Sequence, residues 1–192
     1  MKSINFAPLK AQVAELVDAL VSNTSDSNIV PVRSRPWAQA TFRSSVKVTT
    51  IEEKQMAIDK RYLKMARVWA TNSYCNRRQV GALIVKDKMI ISDGYNGTPT
   101  GFDNCCEDEE GKTKWHVLHA EANAILKVAS STQGCRGATL YITLSPCKEC
   151  SKLIHQSGIT RMVYSKAYKD NSGIDFLEKA HVDVVYLPLE NE

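Results

Sequence analysis

His119-Ala120-Glu121-Ala122-Asn123-Ala124-Ile125 and Thr143-Leu144-Ser145-Pro146-Cys147-Lys148-Glu149-Cys150 are the two stretches whose reading decides the fold. The first is rich in strong helix formers and, continued through Leu126 and Lys127, predicts a helix from about His119 to Ala129. In the second, Ala138 to Leu144 reads as a buried strand. Pro146 suits the first turn of a helix, and Gly158 is a good stop, which predicts a helix from Cys147 to Gln156. Each stretch therefore places chemically active side chains at a helix start.

Two cysteines three apart at a helix start can face one metal ion. Zinc is satisfied by imidazole nitrogen and thiolate sulfur in a tetrahedron, and a helix N-terminus favours the thiolate. Cys147 and Cys150 supply two ligands and His119, opening the other helix, supplies a third. Three protein ligands leave the fourth position for water, the arrangement of a catalytic rather than a structural site. Glu121, two residues after the histidine, is placed to take a proton from that water and pass it on without itself coordinating the ion. A zinc that only stabilises the fold would account for the cysteine pair. It would not account for His119, Glu121 and Pro146 standing in register with it.

Outward from these stretches the chain alternates between helix and strand patterns. Ala57 to Asn72 predicts a helix with Tyr62, Met65, Ala66 and Trp69 on one face. Val80 to Val85 and Met89 to Ile91, joined at Asp87-Lys88, predict a β-hairpin. A loop rich in Gly, Asn and Pro follows from Gly94 to Asn104, then a polar, acidic stretch to Lys114. Thr160 to Tyr164 and Val182 to Tyr186 read as strands flanking a helix from Ile174 to Ala180. A hairpin followed by repeated αβ units implies an α/β fold, a three-layer α/β/α sandwich with a central mixed sheet of about five strands.

The composition, 43% hydrophobic and 24% charged, is that of an ordinary soluble domain. No apolar run reaches the length of a membrane span, and no signal-peptide core is evident, so the expectation is a cytoplasmic protein with no membrane partner. The net charge of +4 is too mild to argue for nucleic acid. Six cysteines without a secretory signal argue against a disulfide framework and toward metal.

The pattern H-x-E…P-C-x-x-C marks zinc deaminases. With Gln79-Val80-Gly81-Ala82, Gly94-Tyr95-Asn96-Gly97-Thr98-Pro99 and Gly101-Phe102-Asp103-Asn104-Cys105, the chain from about Ala57 to Pro188 resembles the deoxycytidylate deaminases of the cytidine deaminase superfamily. The resemblance implies the fold above and hydrolytic conversion of dCMP to dUMP and ammonia, feeding thymidylate synthesis. It implies Glu121 as the proton carrier between water, ring N3 and departing ammonia, with the Ser145 carbonyl accepting from the amino group and Ala120 among the substrate contacts. Asn96 would hydrogen-bond the sugar or phosphate, and a turn at the hairpin exit is its plainer reading. Arg77 would hold the 5′-phosphate, although Arg78 beside it is equally basic. Tyr168 would pack or hydrogen-bond at the substrate.

A second, structural zinc on Cys75, Cys105 and His116 is a further implication, with Cys106 able to replace Cys105. So are a homo-oligomer, typically a hexamer, and control by dCTP and dTTP. Cys135, His155 and His181 carry no assigned role. Rival readings are a free-nucleoside cytidine deaminase, a transfer-RNA adenosine deaminase, a riboflavin-pathway deaminase and a non-catalytic zinc-binding module.

Residues 1–55 read differently from the deaminase domain over 56–192, and we expect a disordered leader. Val13, Leu16, Val17, Leu20 and Val21 have helical spacing, and Arg33, Arg35 and Arg43 suggest an organelle-targeting leader, against which Glu15, Asp18 and Asp26 count. The preferred hypothesis is that this stretch translates a transfer-RNA gene. Ala11-Gln12-Val13 and Arg35-Pro36-Trp37-Ala38 permit complementary codons, as in an acceptor stem. Pro31-Val32-Arg33-Ser34 permits the TTCGA loop, and Leu20 to Ser25 permits an anticodon hairpin. Translation would then begin near Met56. Intact-mass analysis of the native protein tests this, and an N-terminus at Met1 would refute it.

Overall fold

The computed structural model describes residues 50–189, so the expectations for residues 1–49 lie outside the described residues. Helix α1 spans Ile51–Ala70 and begins earlier than the expected Ala57, inside the stretch read as leader. The reason is a reciprocal cap. The Glu53 N–H donates to Thr50 Oγ1 at 3.1 Å and the Thr50 N–H donates to Glu53 Oε2 at 3.0 Å. Strands β1 (Gly81–Lys86) and β2 (Met89–Tyr95) form the expected hairpin. Its turn residues Asp87 and Lys88 take φ of 50° and 65°, the primed turn that suits the twist of paired strands. Then follow α2 (Ala120–Ala129), β3 (Thr139–Leu144), α3 (Lys148–Gln156), β4 (Arg161–Lys166), α4 (Ser172–Lys179) and β5 (Asp183–Tyr186).

The strand order is β2-β1-β3-β4-β5. β3, β4 and β5 run parallel, and β1 is antiparallel to both its neighbours, so the sheet is mixed, as expected. Alternation of side chains splits the core in two. Ala82, Ile84, Leu140 and Ile142 pack with Ala120, Ala124, Ile154 and Leu177 from α2, α3 and α4. Leu83, Val85, Tyr141 and Val163 pack with Leu63 and Ala66 of α1 on the other face. The result is the α/β/α sandwich.

Strand direction decides where chemistry collects. Ala82 pairs with Ile142, so the entry to β1 lies beside the exit of β3, and Gly81 pairs with Tyr95 at the exit of β2. Residues 77–80, 96 and 145–147 thus meet at one edge of the sheet, the edge where open α/β sheets bind ligands. The start of α2 is brought there by three devices. Gly97 and Leu118 form a two-way backbone bridge, and Asn123 Nδ2 donates to the Tyr95 carbonyl at 2.7 Å. Gly94 supplies the third, since a Cβ there would collide with the Ala120 carbonyl oxygen and the Ala124 amide nitrogen. The space that the missing side chain leaves at Gly94 is therefore taken by α2.

At the opposite edge a buried polar network ties α1 to the sheet. Asp59 is 3% exposed and receives Arg161 at 2.8 and 3.0 Å, Tyr141 Oη at 2.7 Å and Gln55 at 2.9 Å. Burial alone would raise the Asp59 carboxyl. The hydrogen bonds from Arg161, Tyr141 and Gln55, with the Arg161 charge, outweigh it and hold the group below the usual carboxylate range.

Replacing Asp59 with Asn should lower the unfolding free energy by about 2–3 kcal/mol at neutral pH, since Arg161 loses its buried partner and keeps only the exposed Asp183. A lowered folded-state pKa stabilises above the unfolded value and is lost as pH falls through the folded one. The gap between wild type and D59N should therefore close on acidification, and a gap independent of pH in urea melts would contradict this. Gly94→Ala should cost about 1–3 kcal/mol by overpacking and weaken zinc retention. Gly134→Ala, where an added Cβ meets nothing within 4 Å, should change neither.

Candidate active site

Two helix starts converge at the collecting edge. His119 is the N-cap of α2 and Cys147 the N-cap of α3, and neither side chain caps its own helix. They face each other instead. His119 Nδ1 lies 3.5 Å from Cys147 Sγ and 3.4 Å from Cys150 Sγ. A tetrahedral zinc at ordinary bond lengths holds nitrogen and sulfur about 3.5–3.6 Å apart. The three side chains thus fit that ion by their spacing and by their donor set. Among the described residues they are the one group of three such ligands within 4.8 Å of one another.

Hydrogen bonds to Cys150 and His119 draw the Cys147 thiol down to about 3, while the same contact with Cys147, together with burial, pushes Cys150 up. His119 is raised, first by its hydrogen bond with Cys147. A cation bound here would displace protons from the sulfurs, which is how thiolate sites couple metal affinity to pH. Glu121, in the first turn of α2, is 4% exposed and lies beside Cys150. Burial pushes its carboxyl above the usual range, as suits a group that must carry a proton and release it.

A cavity opens from these residues and gathers most of the predicted site. His119, Ala120, Glu121, Ser145, Cys147, Asn96, Arg77 and Tyr168 all line it. Ser145 Oγ accepts from the Tyr168 N–H at 2.7 Å, fixing the loop after β4 against the start of α3. Asn96 is committed to the backbone. Its Oδ1 accepts from the Val80 N–H at 2.7 Å and its Nδ2 donates to the Arg78 carbonyl at 2.8 Å. That leaves one lone pair and one N–H for a ligand. The turn reading and the ligand reading are therefore compatible, since the residue splices the arginine segment to the hairpin exit.

Arg77 and Arg78 both line the cavity, so the ambiguity between them resolves into a pair of cations. The Arg78 guanidinium sits 5.2 Å from the centre of the Tyr168 ring. Sequence reasoning missed Lys169, Glu107, Thr113 and Val117, which also line it. Lys169 was within reach as the neighbour of Tyr168. Glu107 and Thr113 carried no usable signal, being paired through a backbone bridge inside an acidic loop.

The expected trio of Cys75, Cys105 and His116 is not assembled among the described residues. Cys75 instead forms a disulfide with Cys106, their Cα atoms 5.1 Å apart. That departs from the expectation that these cysteines hold metal and form no disulfide. Cys105 is exposed and its Sγ donates to the Glu107 carbonyl at 3.2 Å. His116 instead lies tilted against the exposed ring of Phe102 and meets the exposed ring of Trp115 edge to face. Adjacent cysteines project differently, and the buried one, Cys106, reaches Cys75.

Residues 56–166 match the family described as the cytidine and deoxycytidylate deaminase zinc-binding region. The chain is 36% identical over 157 residues to the deoxycytidylate deaminase of Saccharomyces cerevisiae, using 73% of this chain but spanning 50% of that protein's length. It is 33% identical over 172 residues to the deoxycytidylate deaminase of Enterobacteria phage T4, covering 67% of this chain and 89% of the relative. Its fold is similar to the crystal structure of the dCMP deaminase of cyanophage S-TIM5 in complex with dCMP and dUMP. The TM-score there is 0.67 at 43% identity, over 68% of this chain and 97% of that one. With the ligand triad, the buried glutamate and these likenesses in agreement, the chain belongs to the cytidine and deoxycytidylate deaminase family.

Proposed function

We infer that this protein deaminates dCMP to dUMP and ammonia, using one zinc ion held by His119, Cys147 and Cys150. The observation that carries the reading is the ligand triad at zinc spacing beside a buried Glu121, in a cavity whose other lining residues include Arg77, Arg78 and Lys169. A hydrolytic centre and a cationic lining in one cavity suit a nucleotide better than a free nucleoside. Zinc bound there supplies the Lewis acidity that makes water nucleophilic near neutral pH.

Glu121 takes one proton from that water and hands it to ring N3 as C4 is attacked, then takes the remaining hydroxyl proton and delivers it to the amino group, which leaves as ammonia as the C4 carbonyl forms. The Ser145 carbonyl accepts from the amino group, and Ala120, between ligand and acid, presents its backbone to the ring. Arg77 and Arg78 hold the 5′-phosphate, with Arg78 braced by the Tyr168 ring. Asn96 fixes the segment that carries both arginines and keeps one lone pair and one N–H for the sugar.

The reading extends to a domain over 56–192, a cytoplasmic location, a homo-oligomer (a hexamer by resemblance) and control by dCTP and dTTP. No helix among the described residues is long and apolar enough to cross a membrane. The outward residues Met65, Val68 and Trp69 of α1 give a partner copy something to cover.

Ammonia release from zinc-loaded protein should be seen with dCMP and be at least tenfold weaker with deoxycytidine, with dCTP raising the rate. Glu121→Gln should retain zinc and lose roughly 10²–10⁴-fold in kcat. Equal turnover of the nucleoside would remove the phosphate assignment. No turnover of either would leave a structural zinc or an RNA substrate.

A further inference from the structure

Among the described residues, one buried side-chain oxygen lacks a hydrogen-bond partner, Glu107 Oε2. Glu107 is 8% exposed and lines the substrate cavity. Its other oxygen, Oε1, accepts the Arg77 backbone N–H at 3.1 Å. The residue is anchored on both sides, by the disulfide of its neighbour Cys106 to Cys75 and by its own backbone bridge to Thr113. A buried carboxylate oxygen without a donor costs free energy, and such groups call for an explanation. Here the cavity supplies one.

We propose that Glu107 is a substrate-binding residue whose Oε2 accepts a hydrogen bond from the 3′-hydroxyl of the bound nucleotide. The inference rests on the dCMP reading above and deepens it. dCMP brings few donors. Its exocyclic amine must lie at the zinc ligands and Glu121, where it is expelled. Its phosphate, largely dianionic at neutral pH, offers acceptors and would be repelled by a carboxylate. The cations Arg77, Arg78 and Lys169 draw the phosphate to themselves. The 3′-hydroxyl is the donor that remains, on the sugar that joins base to phosphate. Glu107 is held to Arg77, so the acceptor for the sugar and a cation for the phosphate come from one rigid unit.

The test compares kcat/KM for dCMP and for 2′,3′-dideoxycytidine monophosphate, using zinc-loaded wild type and Glu107→Gln. Glutamine keeps the shape and the acceptor for the Arg77 N–H but removes the charge. Wild type should prefer dCMP by about ten- to hundredfold, the value of a hydrogen bond to a charged group. In E107Q the preference should fall to within about threefold, chiefly because dCMP turnover drops. A parallel fall with both substrates would mark Glu107 as structural and overturn the proposal, as would an unchanged preference. Absence of any preference in wild type would overturn it whether or not E107Q folds. So would a second zinc per chain that E107Q loses. If wild type does not turn over dCMP, both readings fail, whereas wild-type turnover with an unchanged preference removes only the role of Glu107.

Discussion

His119 Nδ1 stands within 3.5 Å of both Cys147 Sγ and Cys150 Sγ, and holding those three atoms together constrains most of the rest. The atoms come from the first turns of two helices on the same face of the sheet, so two N-termini must meet at a point. Helix starts ordinarily use their N-cap side chain to satisfy an orphan N–H, at about 0.5–2 kcal/mol per cap. α2 and α3 forgo this, because His119 and Cys147 turn toward each other. The positive helix ends in turn favour thiolate sulfur. Metal bound here would be the counterpart of the missing caps, and folding of this corner would be coupled to its binding.

The sheet makes the meeting possible through topology. Were β1 parallel to β3, the Arg77–Val80 segment would enter at the far edge, away from Cys147. The antiparallel hairpin at one side and parallel αβ units at the other bring an entry, two exits and two helix starts to one edge. The opposite edge is free of that duty and carries the Asp59–Arg161–Tyr141 network. Function and anchorage are thus separated across the length of the strands.

The sheet, α2, α3 and the zinc triad were legible in the sequence, because short-range pattern determines them: periodicity, a proline at a helix start, ligands three apart. What was not legible depends on contacts distant along the chain. The Thr50–Glu53 capping box was readable as such, but it lay in a stretch set aside for its composition, and α1 was started too late. Gly94 signalled close approach correctly, yet the sequence could not say that the approaching group is α2. Two adjacent cysteines, Cys105 and Cys106, offer the same spacing to any partner, and burial alone selects Cys106. Glu107 looked like one more acid in a polar loop. The backbone bridge to Thr113 and the Arg77 N–H hold it in the cavity lining.

The charges around the cavity also bear on orientation. Glu121 and the two sulfurs mark the reacting end, Arg77, Arg78 and Lys169 supply the cations, and Glu107 is held to Arg77. A nucleotide entering base first meets complementary charge along its length. One entering phosphate first would bring its dianion against a buried carboxylate and thiolate, in surroundings that weaken screening. Discrimination by an unfavourable alternative can be as effective as an added contact. It also explains why a carboxylate is tolerated so near the arginines: it reduces their pull on anions that lack a sugar hydroxyl, at little cost to a ligand that brings one.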